Sequence, residues 1–352
     1  MESRKVQKVG YSTITVSLPS EWVKQNDINP GDSVFLAPEK DGSLRVMPQK
    51  VAQKEEAEEY IVNADACHEE GLMERIVIGS YVLGRDVIRI NSSHRIRKEQ
   101  MEEIRGIVRK LIGLGILEET SKNILLQCSI DVRKFQLDML IRRLSVLAST
   151  ILSETLQALA ENNNALAEEA IRREDEADMI YYLALRLLLT AQKKPNIAAE
   201  LGLSDPLIIP AGRVLLQDLE SIADYGESIA RKVISLGAYR DKLSPQVIDD
   251  IHHLGELAHT IFQKAVDCGF SRDLKVANGL LAMKNVLEVE SNRLMQQLPE
   301  IPYLRATISD LSKIADKGAS IAHLAINLAL EDPGKQLKDI LKIVKHERTL
   351  QV

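Results

Sequence analysis

Cysteines, aromatics and long apolar runs are scarce in this chain, and each scarcity removes a class of protein. Three cysteines, Cys67, Cys128 and Cys268, stand among 352 residues. An odd, scattered set fits reduced thiols better than a disulfide framework. Cys67 and His68 are adjacent, but no second Cys/His pair lies nearby to complete a metal site. Aromatics make up only 4%, while Leu, Ala, Ile and Glu abound, so most of the chain should be helical. No apolar run reaches the roughly 20 residues of a membrane span; the best candidate, Met179 to Ala191, is interrupted by Arg186. The opening MESRKVQK has no apolar signal-peptide core, which predicts a cytoplasmic protein. A net charge of −6 excludes a chain-wide basic coat for nucleic acid, so any DNA contact must be local. The sequence shows no P-loop, GxGxxG or nucleophile–base set, and nothing points to an enzyme.

What is present divides the chain into five stretches. Residues 1–50 read as all-β. Ser12 to Leu18 alternates, with Ile14, Val16 and Leu18 on one face and Thr13, Thr15 and Ser17 on the other. Pro19 opens a helical turn around Trp22 and Val23. Strands at Ser33–Ala37 and Leu44–Met47 flank an Asp41-Gly42 hairpin signal. Fifty residues in four short strands cannot bury much apolar surface alone, and a dimer that completes the sheet is the natural remedy. Residues 51–130 begin with a charged linker (51–57). A βαβαββ order follows, with strands at Glu59–Asn63 and Asp86–Ile90, helices at Glu69–Leu83 and Arg97–Ile112, and a hairpin ending near Cys128. Ser92 and Ser93 are placed to cap the second helix. From Val132 onward the pattern is helical. Leu140, Leu144, Leu147 and Ile151 form a bundle seam. Breaks at 162–164, 193–204, 237–245, 268–271 and 299–302 leave six helices, as bundles 131–238 and 239–331. A basic amphipathic tail, 332–352, completes the chain.

The helical region contains a duplication. Residues 218–230, DLESIADYGESIA, and 310–322, DLSKIADKGASIA, share nine of thirteen positions at a constant offset of 92, where chance gives roughly one. Arg213 and Arg305 extend the match. DLESIADYGESIA and, upstream, EDEADMIYYLALRLLL resemble helix signatures of the PhoU family, over about residues 132–330. At the N-terminus, KVGYSTITVSLPSEWVK followed by INPGDSVFLAPEKDGSLRV resembles the AbrB/SpoVT swapped-hairpin domain. The combination is similar to archaeal phosphate-uptake regulators. These resemblances imply an intertwined homodimer through residues 1–50, two tandem three-helix bundles, and control of phosphate transport or its genes.

Two pairs of acids draw attention. Glu174 and Asp178 stand at i, i+4, as do Glu220 and Asp224, so each pair shares a helix face. The PhoU resemblance implies metal clusters on such pairs, with divalent or trivalent ions (Fe, Mn, Mg or Zn) as cofactors. All-oxygen sites suit hard cations. Two carboxylates about 5 Å apart repel by about 3 kcal/mol at an effective dielectric near 20. Against this, 51 acids in 352 residues produce about seven such pairs by chance, and a solvated face would look the same. In the second repeat the matching positions are Glu288, Asn292, Ser312 and Asp316, so Glu288 and Asp316 make a weaker second site. Asp218 and Asp310 repeat faithfully on the apolar side, where a buried structural role is expected.

DNA contacts are expected from Arg4, Lys5 and Lys8, with Ser12 and Thr13 adding phosphate hydrogen bonds; a polar dimer rim is the competing reading. In the tail, Lys335, Lys338, Lys342, Lys345 and Arg348 line a helix opposite Leu337, Ile340, Leu341 and Val344. Docking on the bundle is favoured over contact with a membrane-bound transporter or DNA. Three functions stay in competition. The first is a dimeric DNA-binding regulator of phosphate uptake with a metal-binding helical sensor. The second is an adaptor for a phosphate transporter, sensor or signalling kinase that never touches DNA. The third, a di-iron enzyme, is disfavoured because the Glu-x-x-His ligand pair is missing.

Overall fold

A computed structural model describes residues 3–38, 42–48, 59–203, 205 and 207–331. Asp41, the 51–57 linker and the 332–352 tail lie outside the described residues. The chain forms two compact units, 1–58 and 59–352.

In the first unit, β1 (Gln7–Val9) pairs antiparallel with β2 (Thr13–Thr15), helix α1 (Ser20–Gln25) follows, and β3 (Val34–Pro38) pairs with β4 (Leu44–Pro48). Gly31 and Gly42 hold the positive φ values, +100° and +84°, that their turns require. The strand expected over Ser12–Leu18 is reduced to three residues, because β1 pairs only Thr13 to Thr15. Among the described residues of the unit the apolar alternation has little to face. Val6, Val9, Ile14, Val16, Phe35, Leu36 and Leu44 are all 48–71% exposed.

The second unit begins with a four-stranded sheet in the order β5-β6-β8-β7. Its strands are β5 (Glu59–Asn63), β6 (Val87–Asn91), β7 (Leu114–Glu119) and β8 (Asn123–Cys128), with β5 and β6 parallel and the other pairings antiparallel. Helices α2 (Leu72–Val82) and α3 (Lys98–Lys110) contribute Met73, Val77, Tyr81, Ile104 and Ile107 to a core shared with Ile88, Ile90, Ile124 and Leu126 of the strands. The βαβαββ order is as the sequence predicts. Helix α2 starts three residues later than expected, because Gly71 adopts a left-handed conformation.

Ser92 and Ser93 do not cap α3; Arg97 occupies its N-cap. Instead they bind Asp65, which accepts bonds from Ser92 Oγ (2.6 Å), the Ser93 amide (2.7 Å) and Ser93 Oγ (2.5 Å). These bonds, Ser92's foremost, hold the Asp65 carboxyl down at about 2. The serines thus join the ends of the two parallel strands.

The six expected helices are present as α4 (Leu137–Glu161), α5 (Asn164–Lys193), α7 (Ile208–Leu236), α8 (Pro245–Ser271), α9 (Leu274–Gln297) and α10 (Leu304–Glu331), with the short α6 (Pro195–Glu200) between α5 and α7. The seam residues Leu140, Leu144, Leu147 and Ile151 are buried. Two breaks have the same chemistry. Asn162 ends α4 in a left-handed cap and Asn163 Oδ1 accepts the Leu166 amide; Arg272 ends α8 likewise and Asp273 caps α9.

The bundle is joined to the α/β part by Arg186, the residue that interrupts the longest apolar run. It is 2% exposed and donates to the carbonyls of Tyr81 (2.6 Å) and Arg85 (3.0 Å), pairs with Asp86, and stacks on the Tyr81 ring. Among the described residues no helix is long and apolar enough to cross a membrane.

Candidate functional site

Helices α5 and α7 pack together and bring the four expected carboxylates, Glu174, Asp178, Glu220 and Asp224, into mutual electrostatic contact. Glu174, Asp178 and Glu220 are half-buried and Asp224 is exposed. Burial, then the charges of Asp178, Glu227 and Asp224, push the Glu174 carboxyl up to about 8. Burial, then Asp224 and Asp178, raise Glu220 to about 7. Desolvation, then the charges of Asp178 and Glu227, lift Asp224 to about 6. Asp178 is raised by burial, which Lys110 partly offsets. These are the signs of a crowded anionic surface, not of a freely solvated one. Among the described residues, no three His, Cys, Asp or Glu side chains converge as a ready-formed metal cage.

Several participants were not singled out by the sequence reading. Glu227, one turn beyond Asp224, adds to the field, and the duplication carries the signal: the acids at 220 and 227 are replaced by Ser312 and Ala319 at the matching positions of the second copy. Gln217 donates to Glu220 (2.8 Å) and accepts from the Tyr181 hydroxyl (2.8 Å), which positions Glu220. Lys110, from the end of α3, pairs with Asp175 at 2.6 Å and brings a positive charge to the cluster's edge. No pattern in the sequence relates Lys110 to Asp175.

The second bundle is built differently at the matching positions. Lys284 lies between Glu288 (2.6 Å) and Asp316 (3.2 Å) and neutralises both. Ser312 hydrogen-bonds Ser291 at 2.9 Å. At the position corresponding to Lys284, the first bundle has Ala170. An ammonium group thus stands in the second copy where the first has a methyl.

The repeated aspartates are buried and paired across the duplication. Lys317 of α10 reaches Asp218 of α7 at 3.0 Å; Lys232 and Ser228 of α7 reach Asp310 of α10 at 2.6 and 3.0 Å. The two repeat helices therefore run antiparallel, each aspartate held by the other helix. Burial alone would raise Asp310, but its bonds from Lys232, Lys313 and Ser228 outweigh that and hold it below the usual carboxylate range.

In the first unit, Arg4, Lys5, Lys8, Ser12 and Thr13 are all exposed. The β1–β2 register pairs Lys8 with Ile14 and Val9 with Thr13. Lys8 and Thr13 therefore lie on opposite faces of the ribbon, not on one phosphate-binding surface. Cys67, Cys128 and Cys268 are buried free thiols, and Cys67 Sγ lies 3.5 Å from the Asn63 carbonyl. A Ser–His contact does form: Ser149 Oγ is 2.7 Å from His259 Nε2, joining α4 to α8, with Gln263 donating to the same hydroxyl. Among the described residues no acid hydrogen-bonds His259, and the contact ties the two helices together.

Residues 141–233 match the PhoU domain family model, and residues 7–54 match that of the antidote-toxin recognition MazE bacterial antitoxin. The structure of PhoU from Pseudomonas aeruginosa aligns at 20% identity with a TM-score of 0.49, covering 55% of this chain and 96% of that one. The phosphate transport system regulatory protein PhoU from Streptococcus pneumoniae aligns at 21% identity and a TM-score of 0.44, covering 56% and 94%. No curated protein sequence matches the chain.

Proposed function

From a chain that carries a PhoU domain behind a MazE-type N-terminal domain, we propose a cytoplasmic, dimeric regulator of phosphate uptake. On this reading the helical bundle binds a hard metal ion and the N-terminal domain binds DNA. The observation that carries it is the cluster at Glu174, Asp178, Glu220 and Asp224, which lies inside the segment matching the PhoU domain. Its donor set is all oxygen, and four carboxylates crowded enough to be pushed toward neutrality have Lys110 and Lys317 as nearby opposing charges. Divalent or trivalent Fe, Mn, Mg or Zn would supply the missing positive charge and bridge the two helices. The second set, already neutralised by Lys284, would hold metal weakly or not at all.

Elemental analysis of protein purified without chelator tests this. Asp178→Ala with Asp224→Ala should remove most bound metal, and Glu288→Ala with Asp316→Ala should change it little. Equal losses would show that the halves share the site, and a metal-free parent would defeat the reading.

DNA binding is assigned to the exposed Arg4, Lys5 and Lys8. Two or three phosphate contacts per protomer in a dimer imply a slope of log K against log salt of roughly −4 to −5. Gel-shift with promoter fragments of phosphate-transport genes is the direct measurement. Binding unaffected by Lys5→Ala with Lys8→Ala would sink the assignment. No shift with any fragment would favour the adaptor that meets a phosphate transporter, sensor or kinase.

A further inference from the structure

The bundle contains a cavity of about 480 Å3 where the start of α4, the α6–α7 connection, the end of α8 and the last third of α10 meet. Its lining is mostly apolar, with Arg133, Asp138, Glu200 and Arg272 as its charged members, and Phe135, Leu137, Leu201, Leu215, Phe270 and Leu328 are only half-buried. Side chains of this kind ordinarily complete a core, and here they remain partly wet. We propose that the cavity is the seat of the chain's own C-terminal segment, with Leu337, Ile340, Leu341 and Val344 entering it.

Four observations select this occupant. Leu324 and Leu328 of α10 line the cavity, and Glu331, the last described residue, stands within about one turn of the opening. Asp332-Pro333-Gly334 follows at once; proline and glycine stop a helix and permit reversal of direction. Six chain steps lead from Glu331 to Leu337, a reach of up to about 20 Å, ample for a return to the opening. The apolar positions at 337, 340, 341 and 344 follow the i, i+3, i+4, i+7 pattern of a helix laid in a groove.

The amphipathic pattern agrees. Lys338, Lys342 and Lys345 fall on the side away from the apolar positions, so a segment seated by its leucines covers the wet lining and keeps its lysines in water.

Disulfide trapping in the full chain tests the seat. Leu341→Cys with Leu201→Cys should close an intramolecular disulfide under mild oxidation. Leu341→Cys with Val289→Cys, on exposed α9 surface, should not. The native thiols are buried and do not interfere. Equal trapping of both pairs, no trapping, or trapping only between two chains would overturn the proposal, the last by making a second copy the occupant. In parallel, Leu341→Asp should raise binding of an apolar fluorescent dye several-fold, as should ending the chain at Glu331, with a synthetic peptide of residues 332–352 reversing the rise. Dye binding that ignores both changes would also overturn it.

Discussion

Carboxylates packed beside carboxylates make a folded protein work against its own field, so removing one charge should help the protein that lacks a counter-ion. At roughly 5 Å and an effective dielectric near 20 the gross repulsion is about 3 kcal/mol; the partial exposure of Asp178 and its neighbours screens this to about 1 kcal/mol. Asp178→Asn is therefore expected to raise the Tm of chelator-treated protein by a few degrees, and an unchanged or lowered Tm would return the acids to an ordinary solvated face. His259 behaves in the opposite sense. Burial between α4 and α8 depresses its pKa, with Glu256 pulling the other way. A histidine depressed on folding contributes stability above its unfolded pKa, about 6.5, and that contribution is lost as pH falls through the lower folded value. Chemical denaturation across pH 7.5 to 5 should show this loss, and His259→Gln should flatten it; an identical slope in the variant would rule His259 out as the source. The acids were legible because i, i+4 spacing is visible in a sequence. Ser149 and His259, 110 positions apart, were not, because only the packing of α4 on α8 relates them.

Helix packing here depends on glycines that the duplication repeats. A Cβ on Gly226 would stand 2.7 Å from Ile151 Cγ2 on α4, and one on Gly318 would stand 2.8 Å from Ile261 Cγ2 on α8. In each copy the third helix is drawn against the first at the same position. The methyls belong to β-branched side chains with little room to turn, so Gly226→Ala and Gly318→Ala should each cost about 1–3 kcal/mol. Gly279 on α9 has nothing within 4 Å of such a Cβ, and Gly279→Ala should stabilise by about 0.5–1 kcal/mol. Thermal melts of the three variants check this, and destabilisation at 279 equal to that at 226 would mean that close approach is not the cause. At this scale the sequence was most informative for helices. Asn162-Asn163 and Arg272-Asp273 mark their own breaks, because capping is local chemistry. It was least informative where a long-range bond decides the outcome. Ser92 and Ser93 look like helix caps in isolation, and Asp65, 27 residues upstream of Ser92, claims them. The second strand was read long because alternation shows which residues could pair, whereas β1 supplies partners only for Thr13 to Thr15.

The two units should respond differently to unfolding because their apolar residues differ so much in burial. In unit 59–352 the sheet and the bundle share Arg186, whose guanidinium ties Tyr81 and Arg85 carbonyls to α5. Arg186→Met would remove both bonds and the pair with Asp86, at a cost of about 1–3 kcal/mol, and should separate the melting of the α/β part from that of the helices. Persistence of a single calorimetric transition would show that other contacts suffice to couple them. Among its described residues the first unit has no comparable anchor. Val6, Val9, Ile14, Val16, Phe35, Leu36 and Leu44 lie open on two small ribbons, and full burial of such side chains is worth about 1.5–3 kcal/mol each. A few short strands that leave this surface wet cannot offset the entropy of their own ordering; in the dimer proposed above, a second copy would supply the other half of the core. Association contributes to stability by mass action, and the unfolding of residues 1–58 should therefore move to higher temperature as protein concentration rises, while that of the helical unit stays fixed. Light scattering of residues 59–352 should accordingly give a monomer. A dimer from that fragment, or a first-unit transition indifferent to a hundred-fold dilution, would place the association elsewhere and leave the exposed ribbons to bind some other surface.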